Sequence, residues 1–192
     1  MSRSIVDICN VGLGMVGEQR IDSLAEDSTN ARLCNTFYNS VVDEVLCMHD
    51  WGCGKHTKVV TADATYDADD YDYGYAYRYP LPANPYCLHI RKYNDGETEY
   101  DKQGRFLYSD NDGCELIYTK RITDTNEFDS LLADAISVHL AIKLSFPLMQ
   151  DKTIRDELIE YLYKVVLLTA KQGDASEKYV PKGKFNVRKA GR

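Results

Sequence analysis

No apolar run in this sequence approaches the roughly 20 residues that cross a bilayer. The opening Met1-Ser2-Arg3-Ser4 leads into IVDICNV, too short and too polar for a secretion signal. Neither a membrane-spanning nor a secreted protein is expected. A disulfide framework is missing as well. The six cysteines, Cys9, Cys34, Cys47, Cys53, Cys87 and Cys114, are scattered and mostly flanked by apolar residues, the pattern of free thiols in a reducing compartment. No internal repeat is present. Core-forming material is not lacking: 192 residues, 44% hydrophobic and 28% charged, suit one folded soluble domain or a compact core with one insertion.

Charge is unevenly placed. Residues 176–192 carry Lys178, Lys182, Lys184, Arg188, Lys189 and Arg192 against Glu177, a tail of +5 that leaves −12 for the rest of a chain whose net charge is −7. An acidic body with a basic arm is built to attach to something.

Three stretches have helical spacing. Ala31, Cys34, Tyr38, Val41, Val45 and Met48 share one face, entered through the capping residues Asp27-Ser28-Thr29-Asn30. Phe128, Leu132, Ala135, His139, Ile142 and Phe146 make a second face, which Pro147 is expected to stop. Ile154, Leu158, Tyr161, Val165 and Leu168, widened by Leu162 and Val166, make a third that is expected to be buried on more than one side and to end near Gly173. From about Tyr73 to Ile122 the period falls towards two. YAYRY, CLHIRKY, RFLYS and CELIYTKRI are separated by Asn94-Asp95-Gly96, Gln103-Gly104 and Asn111-Asp112-Gly113, which predicts antiparallel strands joined by tight turns. The fold class is therefore α+β: a bundle of three to four helices (1–57 and 123–173) with an inserted antiparallel β domain (58–122) and an extended basic arm (174–192).

Two motifs invite an enzymatic reading. Gly12-Leu13-Gly14-Met15-Val16-Gly17 is spelled like a dinucleotide-binding turn, but Ile5, Ile8, Cys9 and Gly12 before it have helical spacing, and the segment after it is too short for the helix and second strand required. It reads instead as the frayed end of a first helix. In CMHDWGCGKH, Cys47, His49, Cys53 and His56 lack the usual zinc-finger spacing; Cys47 is expected to pack and Trp51 to close the core. His139, alone on an apolar face, reads as a hydrogen-bonded core histidine. A nucleotide-binding or zinc-binding small enzyme is the alternative if either motif is taken at face value. No catalytic residue, metal or cofactor is assigned.

The run Gly17-Glu18, Ile21-Asp22-Ser23-Leu24-Ala25-Glu26-Asp27-Ser28, Ala31, Cys34, Tyr38 and Trp51 resembles the opening of the tail tubular protein A family, head-to-tail adaptors of short-tailed bacteriophages. YAYRYPLPANPYCLHI (residues 75–90) is similar to a second block of that family, with Asn84 in an Asp place and Pro85-Tyr86 as an insertion. YTKRITDTNEFDSLLADAISVHLAIKLSFPL (residues 118–148) is similar to a third, with Ser130 where Pro is common. The resemblance implies a non-enzymatic virion protein, assembled in the host cytoplasm. It implies a homo-dodecameric ring between the portal protein ring and the tail nozzle, a tail tubular protein B-like partner, with tail fibres nearby and double-stranded DNA passing through without specific binding. On that reading some of Glu18, Asp22, Glu26, Asp63, Asp67, Asp69, Asp70 and Asp72 face the lumen or a subunit junction. Lys178, Tyr179, Lys182, Lys184, Phe185, Val187, Arg188, Lys189 and Arg192 then contact the portal or a neighbouring subunit. The tail's alternatives are a solvated terminus or a nonspecific DNA-binding arm.

Overall fold

A computed structural model of the chain describes residues 3–69, 74–149 and 152–177. Helix α1 (Ile5–Met15) starts at a capping box. The Ser4 hydroxyl accepts from the Asp7 N–H at 3.1 Å, and the Asp7 carboxylate accepts from the Ser4 N–H at 3.0 Å. The helix does not fray at its glycines. Gly12 lies inside it, at the crossing with a later helix, where a Cβ would stand 3.1 Å from the Ser137 carbonyl oxygen. The end is set by Gly17, at φ +74: its N–H donates to the Gly14 oxygen and the Glu18 N–H donates back to Leu13 at 3.0 Å. The buried Asn10 side chain then bonds both the N–H and the carbonyl of Ile21, pinning the following loop to α1.

Helix α2 (Thr29–Met48) is capped by Ser28 and buries Ala31, Cys34, Tyr38, Val41 and Val45 as its spacing predicts. Helix α3 (Ser130–Met149) differs from its one-faced expectation. It is buried nearly all round, at Leu132, Ala133, Ile136, Ser137, Leu140, Ala141 and Leu144 among others, because α1, α2 and the last helix all pack on it. Phe146, expected inside, is 74% exposed. Pro147 does not stop α3, since a missing N–H this near the end removes a single backbone bond. By length and hydropathy alone α3 is long and apolar enough to cross a membrane; here it is the central core helix.

The last helix comprises α4 (Lys152–Tyr161), a π-helical turn at Leu162–Val166 and α5 (Leu167–Glu177). It passes Gly173 and reaches Glu177, so the expected arm boundary at 174 falls inside a helix.

Between α2 and α3 lie two three-stranded antiparallel sheets. One orders β1 (Lys55–Val60), β6 (Cys114–Lys120) and β3 (Cys87–Tyr93), with β6 central; the other orders β2 (Tyr77–Pro80), β5 (Phe106–Ser109) and β4 (Asp101–Gln103). Among the described residues, only β4 and β5 form a hairpin between paired neighbours, around Gly104-Arg105. The other expected tight turns carry the chain from one sheet to the other. Tyr79, Leu81, Cys87, Ile90, Tyr93, Leu107, Cys114, Leu116 and Tyr118 form a second core between the sheets, separate from the helical one. Two arginines join the units. Arg91, on β3, donates to the Trp51 carbonyl and the Thr119 hydroxyl at 2.8 Å each. Arg121 makes a two-point ion pair with Asp43 of α2 and stacks on the Tyr86 ring, whose other contact is Arg105.

Candidate functional site

The most developed polar cluster of the bundle is centred on α3. His139 is nine-tenths buried, and its Nε2 lies 2.7 Å from Glu44 Oε2 of α2; Lys143, one turn further along α3, reaches the same carboxylate at 3.0 Å. Partial burial pushes the Glu44 carboxyl up, but the hydrogen bonds and charges of His139 and Lys143 outweigh it and hold the group below its ordinary value. Glu44 is thus ionised and can only accept, so the His139 ring faces it with an Nε2–H donor.

That histidine lines an open groove of about 510 Å³ between α3 and the last helix. Ile142, Ile159 and Leu162 form apolar walls, Phe146 and Tyr163 flank the mouth, and Lys143 and Arg155 supply cations. Buried Nδ1 of His139 and buried Nε of Arg155 find no hydrogen-bond partner among the described residues. Each of these nitrogens has lost water without a replacement among the described residues, which is a cost to the fold beside the apolar groove.

The π turn decides which face of the last helix looks outward. One extra residue in the turn brings Leu162, Val166, Leu167 and Ala170 onto the core, leaving Tyr161, Val165 and Leu168 45–50% exposed and Tyr163 58%. The apolar stripe predicts burial on more than one side; the structure corrects this, burying one side and leaving Tyr161, Val165 and Leu168 open to solvent, because α3 is the element that packs on this helix.

A second cavity of about 400 Å³ lies where α2 meets the segment after β6, with the Arg121–Asp43 pair among its lining residues. Tyr38 also lines it. Its hydroxyl is buried without a partner among the described residues, and burial, helped by the neighbouring Cys9, raises its pKa.

No protein-family model and no curated protein sequence matches the chain.

The sequence-predicted acidic residues do not form one cluster. Glu18 accepts from the Asn30 amide at 3.2 Å, and the Glu26 carboxylate accepts the Asp22 N–H at 2.8 Å, so these side chains shape the loop before α2. Asp63 is paired with Arg78 at 2.6 Å and bonded by Thr65, whose hydroxyl and then N–H, with Arg78, hold the carboxyl at about 2. Asp67 and Asp69 are exposed. Asp70, Asp72 and the whole arm from Lys178 to Arg192 lie outside the described residues. Cys47 is exposed and not packed, a correction to the sequence expectation, since the last turn of α2 points it away from the bundle. Trp51 does close the core, with its Nε1 donating to the Val45 carbonyl. His49 packs edge-on against Trp51, Cys53 donates to Asp129, and His56 meets the Tyr118 ring across the sheet. Among the described residues no three His, Cys, Asp or Glu side chains converge as a metal site.

Sequence reasoning found His139 but missed its groove. The available signal was Arg155, a cation placed before the apolar Leu158 and Ile159, whose alignment with α3 no local spacing reveals.

Proposed function

We propose that this protein is a head-to-tail adaptor of a short-tailed bacteriophage, a ring subunit between a portal and a tail nozzle. The observation that carries the reading is the ordered occurrence of three family-like blocks between Gly17 and Leu148. It is supported by where their residues lie. Ile21, Ala31, Cys34, Tyr38 and Trp51 of the first block are buried together, Leu81 and Cys87 of the second belong to the β core, and Leu132, Ala135 and Leu140 of the third sit in α3. These are positions that determine a fold. The open apolar row Tyr161, Val165 and Leu168 also supports it, because apolar patches left on one subunit are the usual material of subunit contacts.

Function follows from charge and shape. A ring around a DNA exit path works best without a grip on phosphates, since every neutralised phosphate adds affinity and would hold the genome back. A body of net −12 meets that need. A subunit with different faces on its two sides closes into a ring by repeated head-to-tail contact.

The test is the mass and electron-microscope image of the purified protein with and without portal rings. Twelve copies added to each portal ring is the expected result; a protein that stays unattached beside intact portals overturns the reading.

A further inference from the structure

Each three-stranded sheet has two edges, and in each the chain itself occupies or distorts one of them. In the sheet of β2, β5 and β4 the outer side of β2 is taken: the Asp63 N–H donates to the Arg78 carbonyl at 2.8 Å, and Pro80 has no N–H to offer. In the sheet of β1, β6 and β3 the outer strand β3 slips register twice against β6, and it is tied to the bundle by Arg91, which donates to the Trp51 carbonyl, and by Leu88, which packs on the helical core. β1 and β4 are the remaining edges. Among the described residues β1 pairs with β6 alone and β4 with β5 alone, so every second N–H and carbonyl along the outer side of each has no backbone partner there.

The two open edges carry opposite charge. β1 reads Lys55-His56-Thr57-Lys58-Val59-Val60, two lysines and no carboxylate in a protein of net charge −7. Both lysines are exposed, and Lys58 Nζ reaches only a neutral acceptor, the Asn84 carbonyl at 3.2 Å. The run into and through β4, Glu97-Thr98-Glu99-Tyr100-Asp101-Lys102-Gln103, has three carboxylates against one lysine, with Glu97 and Glu99 exposed. Charge on an edge keeps like edges apart. Lys55 and Lys58 repel a second β1, and the carboxylates repel a second β4, while the unlike edges attract. An edge that is only blunted does not also leave apolar surface out, yet Val59 is 76% exposed and Tyr100 40%. We propose that β1 of one copy pairs edge to edge with β4 of a second copy, the backbone groups supplying the contact and the charges selecting it. The two partners use different strands, so the contact is head-to-tail, and its repetition closes a ring where the rotation allows. It rests on the adaptor reading for the presence of an adjacent copy and adds which strands meet.

The experiment follows the full-length protein through a concentration series by sedimentation velocity and amide hydrogen exchange. Wild type is expected to associate as concentration rises, less so in added salt, with exchange slowing about tenfold in peptides covering 55–60 and 99–103 and unchanged in one covering 87–93. Lys55→Glu/Lys58→Glu and Glu97→Lys/Glu99→Lys alter exposed side chains, so both variants should melt as wild type does. Each alone should associate about tenfold less tightly, because its two edges then carry like charge. Mixed in equal amounts they should recover wild-type association, since each acidic edge of one variant meets a basic edge of the other. Wild type that stays monomeric throughout, protection at β3 in place of β1 and β4, variants that associate like wild type, or a mixture that stays apart overturns the proposal. The portal assay decides the adaptor reading separately. Protein that associates through these edges but leaves portal rings bare sinks that reading alone, and protein that loads portal rings while β1 and β4 exchange as they do at high dilution sinks the edge contact alone.

Discussion

Three glycines within six residues do three different things. Gly12 is the close-approach point of α1 on α3, Gly14 faces open space, and Gly17 holds a left-handed backbone at φ +74. Gly14→Ala is expected to stabilise the protein by about 0.5–1 kcal/mol, through helix propensity and a less flexible unfolded chain. Gly12→Val places a branched side chain against the Ser137 carbonyl and should cost about 1–3 kcal/mol. Gly17→Ala should cost about 1 kcal/mol, because a Cβ in the left-handed region meets the following carbonyl. Urea denaturation of the three variants is the check; a Gly12→Val protein as stable as wild type would show that the helices do not cross there. Asp63 offers a pH prediction at the same scale. Its folded-state carboxyl is held at about 2, so its contribution is complete above the unfolded value near 4 and is lost as the pH falls from about 4 towards 2. The stability gap between wild type and Asp63→Asn is therefore expected to be wide at pH 6 and to close by pH 2, read from urea midpoints across that range.

At the scale of elements, the last helix separates folding from assembly. Val166 points to the core and Val165, its neighbour, points out. Val166→Ala should cost about 1–3 kcal/mol through the cavity it leaves. Val165→Glu and Leu168→Glu should leave the isolated subunit within about 0.5 kcal/mol of wild type, as exposed changes do, yet reduce attachment to portal rings in a sedimentation assay. Normal attachment by both variants would remove this row from the assembly contacts. The strands show how far local pattern reaches. CLHIRKY is β3 from end to end, but its buried residues Cys87, Ile90 and Tyr93 fall every third position and not every second, because the register against β6 shifts between Cys87 and His89 and again between Ile90 and Lys92. Lys55–Val60 escaped sequence reading because it is an edge strand with polar residues and an exposed Val59; its pairing partner, β6, is distant in the chain. The expected stop at Pro147 failed for a related reason, since one lost hydrogen bond does not outweigh the burial of the rest of α3.

At the scale of the whole molecule, two hydrophobic cores depend on a few polar ties. Arg91 is the most buried of these, 8% exposed, and serves Trp51, Thr119 and Asp50. Arg91→Met should cost about 2–4 kcal/mol, because buried acceptors lose a charged donor. Differing melting curves by far-ultraviolet and tyrosine signals would then report the helical and β cores separating; a single cooperative loss of smaller size would show that the tie is dispensable. The thiols report overall packing. Cys47 is exposed and should react first with a thiol reagent; Cys53 is half-buried, its thiol pushed up to about 11 chiefly by burial, and should lag. Cys9, Cys34, Cys87 and Cys114 are buried and should react only on unfolding, so four fast thiols in the native protein would contradict both cores.

What the chain order determined by itself was the α+β class, the start and inner face of α2, the span of β3 and the burial of Trp51. Each is a matter of periodicity or capping within a few turns of backbone. What only the tertiary structure decided was that the last helix buries one side of its apolar stripe and leaves the other open, how six strands divide into two sheets, that Gly12 is a packing contact, and that His139 and Arg155 share a groove. Spacing along a chain records which residues avoid water, but the partner that covers them comes from segments far away in sequence, and its placement follows from closing the whole core at once.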